Sequence, residues 1–191
     1  YITLTRDANE KVVRMQYDAF GRLTNTVDAI ENTISFEYDA NGNQTALIDG
    51  EDNRTEFTYD GLNRKTHTTY PLENGTNGVE VAEYDLVGNR TKRTDCNGGH
   101  TRYYYDSRNR LEGVIYLETD NAREYRYDLC GNLTNVTEYT APSTWSIDSD
   151  AGVSYSYDAL NRVTSETSVG VTHQYAYDLN GNRTNAVYGV S

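Results

Sequence analysis

Proline is nearly missing from this chain of 191 residues, with two copies, and cysteine (two), methionine (one) and tryptophan (one) are as rare. Leucine, isoleucine and valine are too thinly spread for a bundle of amphipathic helices. Two cysteines cannot supply the disulfide framework of a small secreted scaffold. The sequence contains no apolar run of bilayer-spanning length and no leader-like segment. Positive charge is short as well: 17 Lys and Arg stand against 29 Asp and Glu, for a formal net charge of −12 and a pI near 4.6. A nucleic-acid surface needs a basic patch, and an anionic membrane attracts one, so both partners are disfavoured. The acidic excess reads as a device for keeping a strand-rich surface soluble.

Tyrosine is abundant, with 18 copies against 3 Phe, and Gly reaches 15. That composition suits many short strands joined by tight turns. "YDAFGRLTNTVD" starts at Tyr17 and "YDANGNQTALID" at Tyr38, and the theme returns at Tyr59, Tyr84, Tyr105, Tyr127, Tyr157 and Tyr177, each followed by Asp18, Asp39, Asp60, Asp85, Asp106, Asp128, Asp158 or Asp178. The steps are 21, 21, 25, 21, 22, 30 and 20 residues. A period near 20 that tolerates insertions marks a repeat architecture. The chain reads as one array of eight repeats over 1–191, and because it opens on what looks like the second half of a repeat, as a piece of a longer polypeptide.

Each column of the repeat has a physical reading. Four residues after the Tyr stands Gly21, Gly42, Asn63, Gly88, Asn109, Gly131, Asn161 or Gly181. Gly and Asn tolerate positive φ best. An Asp three positions earlier predicts a type I turn closed by a left-handed residue, a three-residue hairpin loop. In that register Asp18 faces Arg22 and Tyr17 faces Leu23. Seven residues after the Tyr comes Thr24, Thr45, Thr66, Thr91, Glu112, Thr134, Thr164 or Thr184, a β-branched column that belongs to the returning strand. The two residues before the Tyr alternate between a large apolar and a mostly polar set, as in Phe36-Glu37 and Phe57-Thr58, which is the period of a strand.

The residue after the Gly or Asn alternates strictly: Arg22, Asn43, Arg64, Asn89, Arg110, Asn132, Arg162, Asn182. Either the unit is a pair of hairpins in different surroundings, or a two-hairpin block was duplicated without structural meaning. Short polar segments such as "DAIEN", "DGEDN", "DCNGG" and "ETDNA" form the turns at the other end. Two of these are enlarged, Tyr70 to Gly78 and Tyr139 to Gly152. The second holds Trp145. If any segment makes a specific contact, Trp145, Tyr139 and Tyr70 are the candidates.

Catalytic and metal chemistry find little support. His67, His100 and His173 are scattered and lack a nucleophile or ligand spacing beside them. "DANGN", "DLNGN" and "DGEDN" are rich in oxygen, but turn chemistry already uses those Asp and Gly residues, and no calcium-loop pattern is present. No catalytic residue, metal or cofactor is expected. Cys96 and Cys130 fall at opposite strand ends, predicting two free thiols. Seven N-x-T sequons, at Asn43, Asn53, Asn74, Asn89, Asn132, Asn135 and Asn182, read as by-products of the turn. The tyrosines are expected to pack ring on ring between hairpins, and an exposed tyrosine face could alternatively stack on sugars.

The pattern Y-D-x-x-G-[NR]-x-T at this period resembles the YD repeats of the RHS (rearrangement hotspot) family, over essentially the whole chain. The resemblance implies an all-β fold of tandem antiparallel β-hairpins, joined into a curled, spiralling sheet that is part of a shell-like or solenoid-like array. It implies a structural, non-catalytic role in a large secreted or cell-surface protein, as in the B and C subunits of toxin complexes, in polymorphic toxins and in teneurins. The partners it implies are the rest of the parent shell, or another chain paired through open sheet edges. The alternative is a module that binds carbohydrate or protein through the tyrosine-rich face or the enlarged segments 70–78 and 139–152. The chain lacks the DPxG-type core motif of complete toxin shells and any effector after the last repeat, so encapsulation and self-cleavage are not expected of the segment itself.

Overall fold

The computed structural model describes residues 1–6, 12–72, 75–140 and 146–190, with side chains 146–151 and 190 outside the description. The described residues are all strand and turn, and they form two compact units. The first, Tyr1–Glu83 with Arg93–Gly98, contains β1 (Ile2–Arg6), β2 (Val12–Tyr17), β3 (Leu23–Val27), β4 (Thr33–Tyr38), β5 (Gln44–Ile48), β6 (Arg54–Tyr59), β7 (Lys65–Pro71) and most of β8 (Asn77–Tyr84). The division falls within β9 (Arg90–Thr94). The second unit, Tyr84–Lys92 with Gly99–Ser191, contains β10 (His100–Tyr105), β11 (Leu111–Tyr116), β12 (Asn121–Tyr127), β13 (Leu133–Thr140), β14 (Ser146–Tyr157), β15 (Val163–Ser168), β16 (Val171–Tyr177) and β17 (Arg183–Val190).

Within the first unit each strand from β1 to β8 pairs antiparallel with the next. The same holds from β10 to β17 in the second. The period-two pattern decides which side chains are covered. Phe36, Phe57, Tyr103, Tyr125, Tyr155 and Tyr175 are half-buried, whereas Glu37, Thr58, Tyr104, Arg126, Ser156 and Ala176 are exposed. Coverage goes no further than that. Among the described residues only Ala46, Thr68, Gly78, Val114 and Ala122 are buried. Among the described residues the strands of each unit contact their immediate neighbours, so stability comes from strand-to-strand contacts.

One loop serves both ends of the strands. At the Tyr-Asp end the N–H of Asp18 donates to the carbonyl of Arg22 (3.0 Å) and that of Gly21 to the carbonyl of Asp18 (3.2 Å). Asp28–Asn32 and Asp49–Asn53 at the other end repeat both bonds, with Glu31 and Asp52 taking the positive φ (67° and 63°) that Gly or Asn takes elsewhere. The segment 70–78 is not a swollen loop. Its extra residues lengthen the strands, pairing Tyr70 with Gly78 and Pro71 with Asn77, and the same bond pattern closes the turn from Leu72 to Thr76. The insertion 139–152 also extends a hairpin, with Tyr139 opposite Ile147 and Thr140 opposite Ser146. Trp145 lies outside the described residues.

Among the described links two depart from the common loop: β11 to β12, where four residues separate Tyr116 from its partner Asn121, and β15 to β16. Only Val169 and Gly170 separate Ser168 from its partner Val171, and both have positive φ (48° and 72°), as a type I′ turn requires. A β-branched residue is strained there, because its Cβ crowds the following carbonyl. Replacing the exposed Val169 by Asn is expected to stabilise the chain by about 1 kcal/mol, read as a higher urea midpoint at unchanged slope. An unchanged or lower midpoint would show that the turn stores no strain.

Candidate functional site: the tyrosine–aspartate turn and its latch

The sequence places an Asp at the first loop position of every repeat, and the structure shows what it does there. One carboxylate oxygen of Asp18 accepts the N–H of Phe20 (2.8 Å) and of Arg22 (2.9 Å), and the other accepts Arg22 Nε (2.6 Å). Asp39 holds the N–H groups of Asn41 and Asn43 in the same way, while its second oxygen accepts the Asn43 side-chain amide. The left-handed residue follows in all eight repeats: φ runs from 59° at Asn109 to 102° at Gly88, through Gly21, Gly42, Asn63, Gly131, Asn161 and Gly181. Asp60, Asp85, Asp106, Asp128, Asp158 and Asp178 each accept the same backbone pair.

The threonine column has a specific duty that its β-branching does not reveal. Tyr17 pairs with Leu23 and Gln16 with Asn25, so Thr24 is an extra residue in the returning strand, a β-bulge. The same residue is skipped at Thr45, Thr66, Glu112, Thr134, Thr164 and Thr184. In three repeats its hydroxyl donates to the carbonyl of the residue before the tyrosine: Thr24 to Gln16 (3.2 Å), Thr66 to Thr58 (3.2 Å) and Thr134 to Arg126 (3.1 Å).

The repeat tyrosine is the latch between hairpins. Tyr38 donates its hydroxyl hydrogen to the carbonyl of Leu23 (2.8 Å), the first residue of the preceding hairpin's returning strand. Tyr59 reaches Gln44, Tyr105 reaches Arg90, Tyr127 reaches Leu111, Tyr157 reaches Leu133 and Tyr177 reaches Val163, all at 2.7–3.0 Å. Ring-on-ring packing, expected from the sequence, occurs at Tyr1 and Tyr17, whose centroids are 4.8 Å apart. Rings that follow an arginine-bearing hairpin take a different partner, that hairpin's arginine. Arg22 lies over Tyr38, Arg110 over Tyr127 and Arg162 over Tyr177, at 4.8, 4.4 and 4.5 Å. The planar guanidinium suits both the ring face and the carboxylate beside it.

The Arg/Asn alternation therefore has a structural meaning. An Arg hairpin bonds its own Asp, covers the next tyrosine and donates to the next Asp carbonyl, as Arg22 does to Asp39 (2.9 Å), Arg110 to Asp128 (3.3 Å) and Arg162 to Asp178 (3.3 Å). An Asn hairpin instead donates to the left-handed Asn of the next repeat: Asn43 to Asn63 (2.8 Å), Asn89 to Asn109 (3.2 Å) and Asn132 to Asn161 (2.8 Å). Gly cannot accept such a bond, which is why Asn occupies the left-handed position only in the repeat that receives it. These contacts also tie up the sequon amides of Asn43, Asn89 and Asn132.

The remaining singled-out residues fall apart in space. His67 Nδ1 lies 3.1 Å from Thr58 Oγ1, His173 meets Tyr188 edge to face at 4.8 Å, and the His100 N–H donates to Glu118 (2.6 Å). Cys96 and Cys130 are free, exposed thiols. Tyr70 is part of β7, opposite Gly78. Tyr139 donates to Glu124 Oε2 (2.6 Å), a bond that, with burial, pushes its hydroxyl pKa up.

Two expectations follow from this geometry. Replacing Tyr127 by Phe removes one inter-hairpin bond and should lower stability by about 1 kcal/mol, whereas Tyr104→Phe, at an exposed hydroxyl, should change the urea midpoint little. The turn carboxylates are held below their ordinary range: the backbone N–H of Arg22, Arg110 and Arg162 does most for Asp18, Asp106 and Asp158, and the Asn side-chain amide does most for Asp39, Asp128 and Asp178. A depressed carboxylate stabilises the fold above its unfolded pKa of about 3.9, and this is lost as pH falls through the folded values. Stability from these groups should be level from about pH 5 upward and decline below about pH 4, measured as urea midpoints across that range.

No curated protein sequence matches this chain. Among solved structures, its fold is similar to that in the crystal structure of TcdB2-TccC3-Cdc42, at 16% identity and a TM-score of 0.78 over 99% of this chain and 13% of that one. The crystal structure of TcdB2-TccC3 gives 18% identity and a TM-score of 0.78, with the same coverage. The Photorhabdus luminescens Tc holotoxin pore with a mutated TccC3 gives 17% and 0.61 over 96% of this chain and 12% of that one. The chain thus spans about an eighth of the length of these structures, and the likeness is one of fold. Residues 17–54, 38–74 and 84–120 match the RHS Repeat family. With the tyrosine–aspartate turn recurring through both units, the chain belongs to the RHS-repeat family.

Proposed function

We propose that this chain is a non-catalytic scaffold segment, one array of eight repeats within the β-shell of a larger secreted or cell-surface protein of the toxin-enclosing or adhesion type. The observation that carries the reading is the latch: the residues of the repeat, from Tyr17-Asp18-Gly21 to Tyr177-Asp178-Gly181, are spent on turns and on joining one hairpin to the next. Half-buried inward side chains with almost nothing buried fit a wall one sheet thick. Accumulated twist would curl such a strip as hairpins are added.

The partners of this reading are neighbouring repeats of the parent, which meet the segment at its edge strands. β1 is exposed along its whole length. Tyr1 and Tyr17 exchange both backbone bonds, so in the antiparallel alternation the N–H of Leu4 points away from β2. Leu4→Pro removes that donor without touching the β1–β2 bonds. The wild-type chain is expected to associate through its edges as concentration rises, and Leu4→Pro to shift sedimentation towards monomer at unchanged circular dichroism. Equal association of the two chains would remove β1 as a joining edge. Self-cleavage of the intact chain on prolonged incubation, seen by mass spectrometry, would contradict the non-catalytic reading.

A further inference from the structure

The bulge position holds threonine in seven repeats and Glu112 in the fifth. An ionised carboxylate cannot donate the hydrogen bond that Thr24, Thr66 and Thr134 give at this position. Next to Glu112 stands Gly113, opposite Tyr104, and Tyr104 is itself unusual in a column that is otherwise mostly polar. A cleft of about 570 Å³ lies beside these departures in the second unit. Gly113, Ile115 and Ala122 line it with Tyr104 and Tyr139, and Glu112 contributes a carboxylate. That size is in the range of a ligand site.

The other charges of the cleft are already neutralised. Arg123 pairs with Glu138 (2.7 Å), and Glu124 takes both Arg126 (3.0 Å) and the Tyr139 hydroxyl (2.6 Å). Among the described residues Glu112 has no ion-pair or hydrogen-bond partner, and no ring or cation lies on Tyr104. Elsewhere the protein fills this combination with its own arginine. Arg22, Arg110 and Arg162 each sit between a tyrosine face and a carboxylate. The cleft offers a tyrosine face and a carboxylate, while its own two arginines, Arg123 and Arg126, are taken by Glu138 and Glu124.

We infer that this cleft binds an arginine-bearing segment of another polypeptide. The guanidinium lies on Tyr104 and pairs with Glu112, and small flanking residues cover Gly113 and Ala122. Guanidinium gains from both a ring face and a bidentate carboxylate, and the net charge of −12 favours the approach of a cationic segment. The inference stands whether or not the scaffold reading holds.

The test titrates the isotope-labelled full chain with the peptide acetyl-Ala-Gly-Arg-Gly-Ala-amide, its citrulline counterpart, which keeps the shape and loses the charge, and maltotriose. The arginine peptide is expected to shift the amides of Gly113 and Ala122 and to bind about tenfold tighter than the citrulline peptide. Glu112→Thr should abolish that preference while melting no lower than wild type, since it restores the hydroxyl of the other bulges. Gly113→Val should weaken binding by filling the floor; a Cβ there meets only Arg123 O at 3.6 Å and the Tyr104 side chain at 3.8 Å, so the strand accepts it. Equal binding of the two peptides, unaltered preference in Glu112→Thr, or shifts at these amides from maltotriose and not from the arginine peptide would each overturn the inference.

Discussion

A hydroxyl-to-carbonyl hydrogen bond between neighbouring hairpins organises this protein. An isolated two-stranded hairpin is marginal in water, and antiparallel pairing alone leaves each hairpin free to slide or twist against the next. The repeat tyrosine ends its outgoing strand and reaches back to the first residue of the preceding returning strand, as Tyr127 does to Leu111. Only a side chain with an apolar ring and a terminal donor can cross that distance and satisfy a carbonyl on arrival. Phenylalanine, rare in this chain, could supply the first property and not the second. The aspartate beside it fixes the turn, and the bulge behind the turn sets the extra twist, so that one short motif both reverses the chain and attaches it to what came before.

The attachment has two alternating forms. Where a hairpin carries arginine, the link is electrostatic and aromatic: guanidinium between the home carboxylate and the next tyrosine ring. Where it carries asparagine, the link is a neutral amide pair. Both reach the next turn, but only the asparagine link uses its left-handed residue, which must then be Asn; the arginine link meets the tyrosine ring and the Asp carbonyl instead. The true period is two hairpins, 42 to 52 residues along the steps from Arg22 to Arg64, Arg110 and Arg162. A substitution at Asn132 is therefore felt at Asn161, a whole repeat later, and one at Arg162 at Tyr177 and Asp178.

Single sheets joined in this way have little interior. One face carries half-covered side chains and the other mostly exposed ones, which leaves the exposed face free to take other residues. The fifth repeat shows the freedom in use. Glu112 stands where the other seven repeats have threonine, Gly113 gives up a side chain, and the cleft beside them lies on strands that pairing already holds in place. A recess on rigid elements keeps its shape without the cost of ordering a loop.

Hairpin positions, turn type, the register of Asp18 against Arg22 and Tyr17 against Leu23, and the family were all legible in the sequence, because each depends on contacts within some ten residues and recurs eight times. Local steric rules decide where φ is positive and where a strand alternates. The destination of the tyrosine hydroxyl, the partner of each arginine and asparagine, and the bulge bond of the threonine were not legible, since each joins residues 8 to 29 apart whose meeting depends on register and bulge together. The segments at 70–78 and 139–152 looked like loops for the same reason: their strand character comes from pairing with each other, not from propensity. Local steric preference, then, was enough to set the hairpins, and tertiary pairing alone chose what each side chain would touch, because a hydrogen bond needs a partner within about 3 Å and only the assembled strands provide one.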